Sequence, residues 1–304
     1  MIVKRQRGFA LLLTLWALAM ITAIVTAHVF DVRSEVVMTS NFRDAARARV
    51  VADAGVQLGI LKLMERARFG LTETSWRADG SWYVLDVDDV PVSISIAAES
   101  GKVDLNAASP RVIAALVDTL AENALQHELA ASFRIYRENP DNPPLTSVYQ
   151  LEQVLGISLR GGDMSRRFTV YSGDPKINPV LSTPEVLEGL PGLQRDIIES
   201  YLADRDQQTD ASVSNVSHRL TAAAEFVELG GSRRIRNGEF FTIRARVGLA
   251  SGSRSTREAV IKLDAVDGVP YSVLSWRSIA AQHASEDSTC GWVVLLSDAE
   301  RLGC

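Results

Sequence analysis

The chain begins with its longest apolar run. From Phe9 to Phe30 no side chain carries a formal charge, and a helix of that length, rising about 1.5 Å per residue, crosses the roughly 30 Å hydrocarbon core of a bilayer. Three basic residues precede the run and Asp31 follows it. This charge asymmetry favours a cytoplasmic N-terminus and export of the remainder of the chain. A cleavable secretory signal with its cut at Ala17-Leu18-Ala19 is the alternative, but it would leave an equally apolar stretch on the mature protein.

Apolar positions continue beyond Asp31 at helical spacing. No proline occurs from there to about Arg68, and apolar residues recur mostly at steps of three and four. They are Val32, Val36, Phe42, Ala46, Val50, Ala54, Leu58 and Leu61. We predict one long helix, apolar in its first half and amphipathic in its second. Two helices with a break near Thr39-Ser40-Asn41 are the alternative.

Period-two patterns predict strands on both sides of a long helical stretch. The candidate strands are residues 81–86, 90–96, 239–247, 256–263 and 271–276. Asp88-Asp89 suits a hairpin turn between the first two strands, and the alternation of apolar and charged residues in the next two indicates one buried face and one solvent-facing side. One antiparallel sheet, split by an insertion from about Lys102 to Arg236, accounts for this order.

The insertion contains a weak internal sequence repeat. The stretch from Val103 to Leu116 resembles the stretch from Ile177 to Leu190, and each has Ser or Thr before a proline that would open a helix. The segment ending Leu190-Pro-Gly-Leu193 also resembles the helix-hairpin-helix motif of nucleic-acid-binding proteins. Acidic residues follow that turn, so a packing role is the preferred interpretation.

Composition and motifs argue against catalysis. The net charge of −5 does not favour a nucleic-acid-binding face. The four histidines lack the spacing of a zinc site, and neither a glycine-rich phosphate loop nor a Gly-x-Ser-x-Gly elbow is present. The protein is therefore not expected to be an enzyme.

The junction Arg7-Gly8-Phe9 resembles the class III signal of type IV pilins and pseudopilins. The resemblance implies that a prepilin peptidase cuts after Gly8 and that Phe9 becomes the methylated N-terminus. Most such subunits have Glu at the fifth mature position, where this chain has Leu13. The K-type minor pseudopilin of the type II secretion system lacks that Glu and is unusually large, as this chain of 304 residues is.

This resemblance implies an α+β fold: a long N-terminal helix, transmembrane then amphipathic, packed on an antiparallel pilin-like sheet with a large inserted all-α domain. The domain boundaries expected are a leader at 1–8, a transmembrane helix at 9–30, the amphipathic helix and first strands at 31–101, the inserted domain at 102–236 and the remaining strands and tail at 237–304. The protein would cross the inner membrane once, with its N-terminus cytoplasmic and its C-terminal domain periplasmic.

The implied function is that of a minor pseudopilin at the tip of the type II secretion pseudopilus, contributing to export of folded proteins across the outer membrane. Its partners would be other minor pseudopilins, the major pseudopilin, the prepilin peptidase and the inner-membrane assembly platform, with nucleic acid not expected. The alternative is a tip subunit of a type IV or DNA-uptake pilus whose insert binds nucleic acid.

One acidic cluster could hold a metal ion. Asp204, Asp206 and Asp210 fall within seven residues just past a predicted helix, and such oxygen-rich loops suit Ca²⁺. An EF-hand loop would need glycine where this chain has Thr209. K-type pseudopilins are associated with calcium in their helical domain, which supports Ca²⁺ as the cofactor; a solvated loop is the alternative. Asp141 and Asn142 are weaker candidates for a second site.

The two cysteines, Cys290 and Cys304, both lie near the C-terminus on the exported side. In an oxidising periplasm they can pair, closing a loop with a chain-entropy contribution of about 3 kcal/mol. Two free thiols are the alternative.

Overall fold

The computed structural model of the protein describes residues 7–70, 75–120, 126–156, 161–207, 217–264, 269–279 and 294–295. The helices are α1 (Arg7–Phe69), α2 (Pro110–Leu120), α3 (Gln126–Glu138), α4 (Gln150–Leu155), α5 (Gly161–Arg167), α6 (Pro184–Glu188) and α7 (Arg195–Gln207). The strands are β1 (Asp79–Val87), β2 (Val90–Ala98), β3 (Val103–Asp104), β4 (Phe168–Thr169), β5 (Phe240–Gly248), β6 (Arg254–Leu263), β7 (Tyr271–Ile279) and β8 (Val294–Leu295). Short 3-10 helices occupy Glu99–Gly101 and Ser217–Ala223.

The long helix is continuous, as predicted. It runs for 63 residues without a break at Thr39-Ser40-Asn41, because nothing in that polar stretch removes a backbone hydrogen bond as proline would. Its second half packs on the sheet at very close range. A side-chain carbon added at Gly55 would lie 2.6 Å from Val92, and one added at Gly59 would lie 2.6 Å from Ile243. Glycine at these positions lets the helix backbone approach the strands.

The predicted hairpin is confirmed. β1 and β2 pair antiparallel with Val87 opposite Val90, and the two turn residues, Asp88 and Asp89, both have positive φ, at 53° and 58°. Two consecutive left-handed residues define the turn type that matches the twist of a two-residue hairpin, and Asp tolerates that conformation better than most residues.

Six of the described strands form a sheet in the order β7-β6-β5-β2-β1-β8, and β3 and β4 form a separate pair. Its first five strands are antiparallel, as predicted, whereas the two-residue β8 adds parallel to β1 at the edge. β2 and β5 are direct neighbours although the whole insert separates them in sequence. The chain therefore leaves the sheet after Ala98 and returns to the adjacent position at Phe240.

Two apolar cores follow this division. The first is formed by the second half of α1 and by residues of β1, β2, β5 and β6. The second lies entirely between Val103 and Val227. From the described part of the insert, Leu181 joins the sheet core instead, and the partly buried Ile235 packs against it. The regular elements of the described insert are helices, together with the parallel pairing of β3 with β4 and an isolated parallel bridge between Ile177 and Val227.

The internal sequence repeat has a structural counterpart. α2 opens at Pro110 and α6 opens at Pro184, as the sequence predicted. A short parallel pairing precedes each helix: Val103 pairs with Phe168, and Ile177 bridges to Val227. Each half of the insert thus begins with an extended residue and turns into a helix at a proline.

Asn178 holds the two ends of the insert together. Its backbone N–H donates to the carbonyl of Ser100 at 2.7 Å, and its side-chain Nδ2 donates to the carbonyl of Ser232 at 2.9 Å. The residue is only 9% exposed. One asparagine in the middle of the insert therefore hydrogen-bonds both to the segment that enters the insert and to the segment that leaves the insert. We call this pair of contacts the Asn178 clasp.

Candidate functional site: the apolar helix and the insert junction

The first half of α1 presents an apolar surface on all sides. Its large apolar side chains from Phe9 to Val37 are each at least 46% exposed. Among the described residues, α1 is the helix long and apolar enough to cross a membrane, with a mean hydropathy of 2.0 over its most apolar window and none of that window buried. Apolar surface of this extent is stable when lipid or other apolar helices cover it. The helix is therefore a candidate single membrane span.

The predicted processing site lies at the start of this helix. α1 begins at Arg7, so Gly8 and Phe9 fall in its first turn, and the side chain of Phe9 is 66% exposed. Leu13, which would be the fifth residue after cleavage at Gly8, is 57% exposed among other apolar residues. Cleavage after Gly8 and methylation of Phe9 remain predictions.

A network of arginines joins the far end of α1 to the insert. Arg66, in the last turn of α1, donates to the carbonyl of Trp76 at 2.9 Å and to the carbonyl of Arg233 at 2.6 Å. Arg233 in turn donates to the carbonyl of Arg205 in α7. Arg66, Arg205 and Arg233 are all buried. Guanidinium groups carry several donors in a fixed plane. This chain of contacts therefore fixes α7 and the segment at Arg233 relative to the end of α1.

Asp79 is the anion at the centre of this network. It is buried at the start of β1 and lies 2.5 Å from Arg77 and 3.8 Å from Arg205. Burial opposes ionisation of its carboxyl, but the charges of Arg205 and Arg77 outweigh that effect and lower its pKa. Asp79 therefore stays ionised and ties the sheet to the insert.

A second buried polar cluster lies on the sheet face opposite α1. Lys102, the first residue of the insert, donates from Nζ to Glu99 at 2.5 Å and to Thr242 at 2.9 Å. Thr242 donates from its hydroxyl to the same Glu99 carboxylate. Burial lowers the pKa of Lys102, and the attraction of Glu99 opposes that effect.

Glu258 is the acceptor on which three side chains of this cluster meet. Arg244 of β5 donates from Nε to Oε2 of Glu258 at 2.5 Å, and Arg277 of β7 donates from Nε to Oε1 at 2.9 Å. Ser165 of α5 lies 3.3 Å from Oε2 and also contacts Arg244. Burial opposes ionisation of Glu258, yet Arg244 and Arg277 lower its pKa to about 2. Through Ser165 the insert takes part in a charge cluster of the sheet.

This cluster corrects the prediction that the charged face of β5 and β6 is solvated. Arg244 is 6% exposed and Glu258 is 1% exposed, because the insert covers that end of the sheet face. The alternation of apolar and polar residues identified the two faces correctly but could not tell which part of the polar face another domain covers. The one available signal was the pairing of opposite charges, since Arg244 and Glu258 are direct cross-strand partners.

The predicted metal ligands lie elsewhere than expected. Asp204 and Asp206 belong to the last turns of α7 and not to a loop beyond it. Residues two apart on a helix point about 200° away from each other. Asp204 pairs with Arg219 at 2.6 Å, and Asp206 pairs with Arg77 at 2.5 Å. These two carboxylates therefore do not converge on one ion, and no metal-binding group is found among the described residues.

Other predicted site residues lie outside the described part of the chain or have local roles. Asp210, Cys290 and Cys304 lie outside the described residues. Asp141 and Asn142 belong to an exposed turn, where the backbone N–H of Asp141 donates to Asn139 and Asn142 donates to the carbonyl of Tyr136. The metal and disulfide assignments remain predictions.

The calcium prediction can be tested by melting the full chain in detergent micelles with Ca²⁺ and with a chelator. A site that includes Asp204 would stabilise the fold by about 2.7 kcal/mol at a hundredfold excess of Ca²⁺ over Kd. Asp204→Asn should then lose the calcium-dependent rise in Tm. Arg219→Gln, which removes only the ion pair, should keep that rise. Equal melting temperatures with Ca²⁺ and with chelator would leave Asp204 a purely ion-paired residue.

The hairpin between α6 and α7 is a packing unit. A side-chain carbon at Gly189 would lie 2.8 Å from Leu116 of α2, and one at Gly192 would lie 3.4 Å from the carbonyl of Ala222. The turn thus faces neighbouring parts of the insert. A nucleic-acid-binding hairpin instead presents its turn amides to phosphates.

Comparisons with known proteins give a likeness to solved structures and no match in sequence. No protein-family model matches the chain, and no curated protein matches it. Among solved structures, the chain is similar to a chain of the GspK-GspI-GspJ complex from the enterotoxigenic Escherichia coli type 2 secretion system. The alignment covers 80% of this chain and 99% of that chain, with 12% identity and a TM-score of 0.46.

Proposed function

We propose that the protein is a minor pseudopilin that caps the tip of a type II secretion pseudopilus and contributes to export of folded proteins across the outer membrane. The observation that carries this proposal is α1: one unbroken helix that is apolar and exposed in its first half and buried against a sheet in its second. Such a helix can leave the membrane and enter a helical bundle of like subunits without changing its own structure. In this role the protein is a structural subunit and not an enzyme.

The position of the insert supports a place at the tip. The arginine network attaches the insert at Arg66, which lies about 54 Å along α1 from Phe30 at 1.5 Å per residue. The insert therefore extends the core at the end away from the apolar half of α1. A second subunit stacked above this one would meet the insert, whereas subunits below it would meet only the helix and the sheet.

The partners we propose follow from this arrangement. Other minor pseudopilins would form the tip complex, the major pseudopilin would continue the filament below it, and the prepilin peptidase and the inner-membrane assembly platform would act on the apolar helix. The chain would cross the inner membrane once, with its C-terminal domain in the periplasm. Affinity purification of the full chain from solubilised inner membrane should recover pseudopilins; recovery of a DNA-uptake machinery instead would contradict the proposal.

Processing after Gly8 gives a direct test of the signal. Replacing Gly8 with leucine should leave the leader attached, because the prepilin peptidase that the resemblance implies accepts a small residue before the cut. Secretion should then be lost. Edman sequencing of the unmutated mature protein should begin at N-methylated Phe9. A mature protein that begins at Met20 would indicate an ordinary secretory signal.

Leu13→Glu tests the position in the filament. In pilin-like arrays the Glu at this position is thought to neutralise the N-terminal amine of a neighbouring subunit, and a subunit with none ahead of it has no such amine to meet. The new carboxylate would then lie in lipid at a cost of several kcal/mol. We expect secretion to fall or stay unchanged, with Leu13→Ala as the matched control. A clear gain in secretion would place the protein inside the filament.

A further inference from the structure

A cavity of about 210 Å³ lies between the sheet and the insert, beside the second polar cluster. Its walls include the charged groups Glu99, Lys102, Glu258 and Arg277 and the hydroxyls of Ser147 and Tyr171. β7, which forms one border, is the last strand on its side of the described sheet. A cavity of this size has room for more than one water molecule or for a small organic group.

The charges around the cavity are not balanced among the described residues. In the ion-pair cluster that includes the cavity walls, Lys102 pairs with Glu99, and both Arg244 and Arg277 pair with Glu258. Arg244 does not itself line the cavity. The cluster thus has two carboxylates and three cations. Arg166, which lies near Ser165, is paired with Glu185 and adds no excess. The cluster therefore holds one positive charge in excess, and Arg277, whose side chain is 30% exposed, is the cation that an anion in the cavity can reach.

Donors of the cavity walls remain available to a ligand. An ammonium group has three N–H donors, and the two contacts of Lys102 are with Glu99 and Thr242. Arg277 uses Nε and Nη2 on Glu258, lies over the ring of Tyr149 and is 30% exposed. No described residue accepts from its Nη1 group, which can therefore donate to a ligand. Burial, with Glu99 and Glu258 nearby, raises the pKa of Tyr171, which keeps its hydroxyl a donor.

We propose that this cavity binds a monocarboxylate, with the guanidinium of Arg277 and the ammonium of Lys102 as its charged contacts. A carboxylate supplies two acceptor oxygens in one plane, which suits a guanidinium edge and neighbouring hydroxyls. The excess of one positive charge matches an anion of charge −1. A dianion would be repelled by the two carboxylates already in the walls, and a cation would add to the excess.

The carboxylate could belong to a free small acid or to an acidic side chain of another protein, and two probes separate these sources. The full chain in detergent micelles would be titrated with sodium acetate and, separately, with the N-methylamide of N-acetylglutamate, each against sodium chloride at equal ionic strength. Saturation-transfer NMR on the acetyl methyl group reports binding, and the Tm reports its linkage to folding. Binding of acetate alone supports a free acid, and binding of the blocked glutamate supports a protein side chain.

Variants assign the binding to this cavity. Arg277→Gln removes the excess charge and should weaken acetate binding by about tenfold or more. Tyr171→Phe keeps every charge and the ring and should weaken it by a few fold. Arg254→Gln, which changes an exposed arginine at the start of β6, should leave it unchanged. Identical NMR and Tm responses to acetate and to chloride, or unchanged acetate binding in Arg277→Gln, would overturn the proposal.

Discussion

Replacing Glu258 with glutamine is expected to lower the free energy of unfolding by about 3 to 5 kcal/mol at neutral pH. Glu258 is 1% exposed and accepts from Arg244, Arg277 and Ser165. The amide keeps the shape of the side chain but leaves two arginines without their counter-charge in a buried site. Denaturant unfolding of the full chain in micelles, followed by tryptophan fluorescence, measures the change. Glu138→Gln, which removes an exposed ion pair to Arg134, should change stability by less than about 0.5 kcal/mol.

The same residue makes stability depend on acid pH. Because folding lowers the pKa of Glu258 from its ordinary 4.5 to about 2, its stabilising contribution is complete above about pH 4.5 and is lost as pH falls toward 2. That contribution amounts to about 3 kcal/mol, since one pKa unit corresponds to about 1.4 kcal/mol. Glu258→Gln should flatten this part of the stability profile. A profile between pH 5 and 2 that is parallel in the variant and the unmutated protein would contradict the assignment.

Gly101→Ala is expected to lower the free energy of unfolding by about 3 kcal/mol, because the new methyl group would collide with backbone. Gly101 is buried at the seam where the chain enters the insert, and a side-chain carbon there would lie 2.6 Å from the carbonyl carbon of Leu181 and 3.0 Å from the nitrogen of Ser182. A flexible side chain could move away from such a contact, but a main-chain segment between two buried residues cannot without shifting the insert.

Gly230→Ala is the matched control for the seam. At Gly230 no described heavy atom lies within 4 Å of an added side-chain carbon, and φ is not positive, so its substitution should change stability by less than about 0.5 kcal/mol. Limited proteolysis supplies a second readout, because Gly101→Ala should expose cleavage sites between the sheet and the insert. Equal stability and equal cleavage in the two variants would show that the seam accommodates a methyl group.

Local features of this fold could be predicted from sequence. The apolar run, the helical spacing that follows it and the paired Asp88 and Asp89 each depend on residues close together in the chain, and the structure has the long helix and the hairpin that they indicate. The starts of α2 and α6 at proline belong to the same group. Each of these signals is a property of a few neighbouring residues and their backbone geometry.

The contacts that assemble the two cores could not be predicted in this way. Lys102 meets Thr242 across 140 positions of sequence, and Arg66 meets Arg233 across 167. Nothing in the spacing of either pair marks them as partners. The prediction that Asp204 and Asp206 lie in a loop beyond the helix was wrong for a local reason, because polar residues in the last turns of a helix resemble those of a loop. Their ion-pair partners, Arg219 for Asp204 and Arg77 for Asp206, were not marked by the sequence either.

The Asn178 clasp, the two hydrogen bonds that join the ends of the insert, bears on the order in which the protein folds. β2 cannot pair with β5 until residues 143 positions apart meet, as Glu99 and Thr242 do, and closing a flexible loop of that length costs about 4 kcal/mol of chain entropy. If the insert folds first, Asn178 brings Ser100 and Ser232 together. The pairing of β2 with β5 then requires only the short segments between these serines and the two strands to close. The insert would then serve as a folded bridge on which the sheet is completed, and the edges of β2 and β5 would stay open to other chains only until the clasp forms.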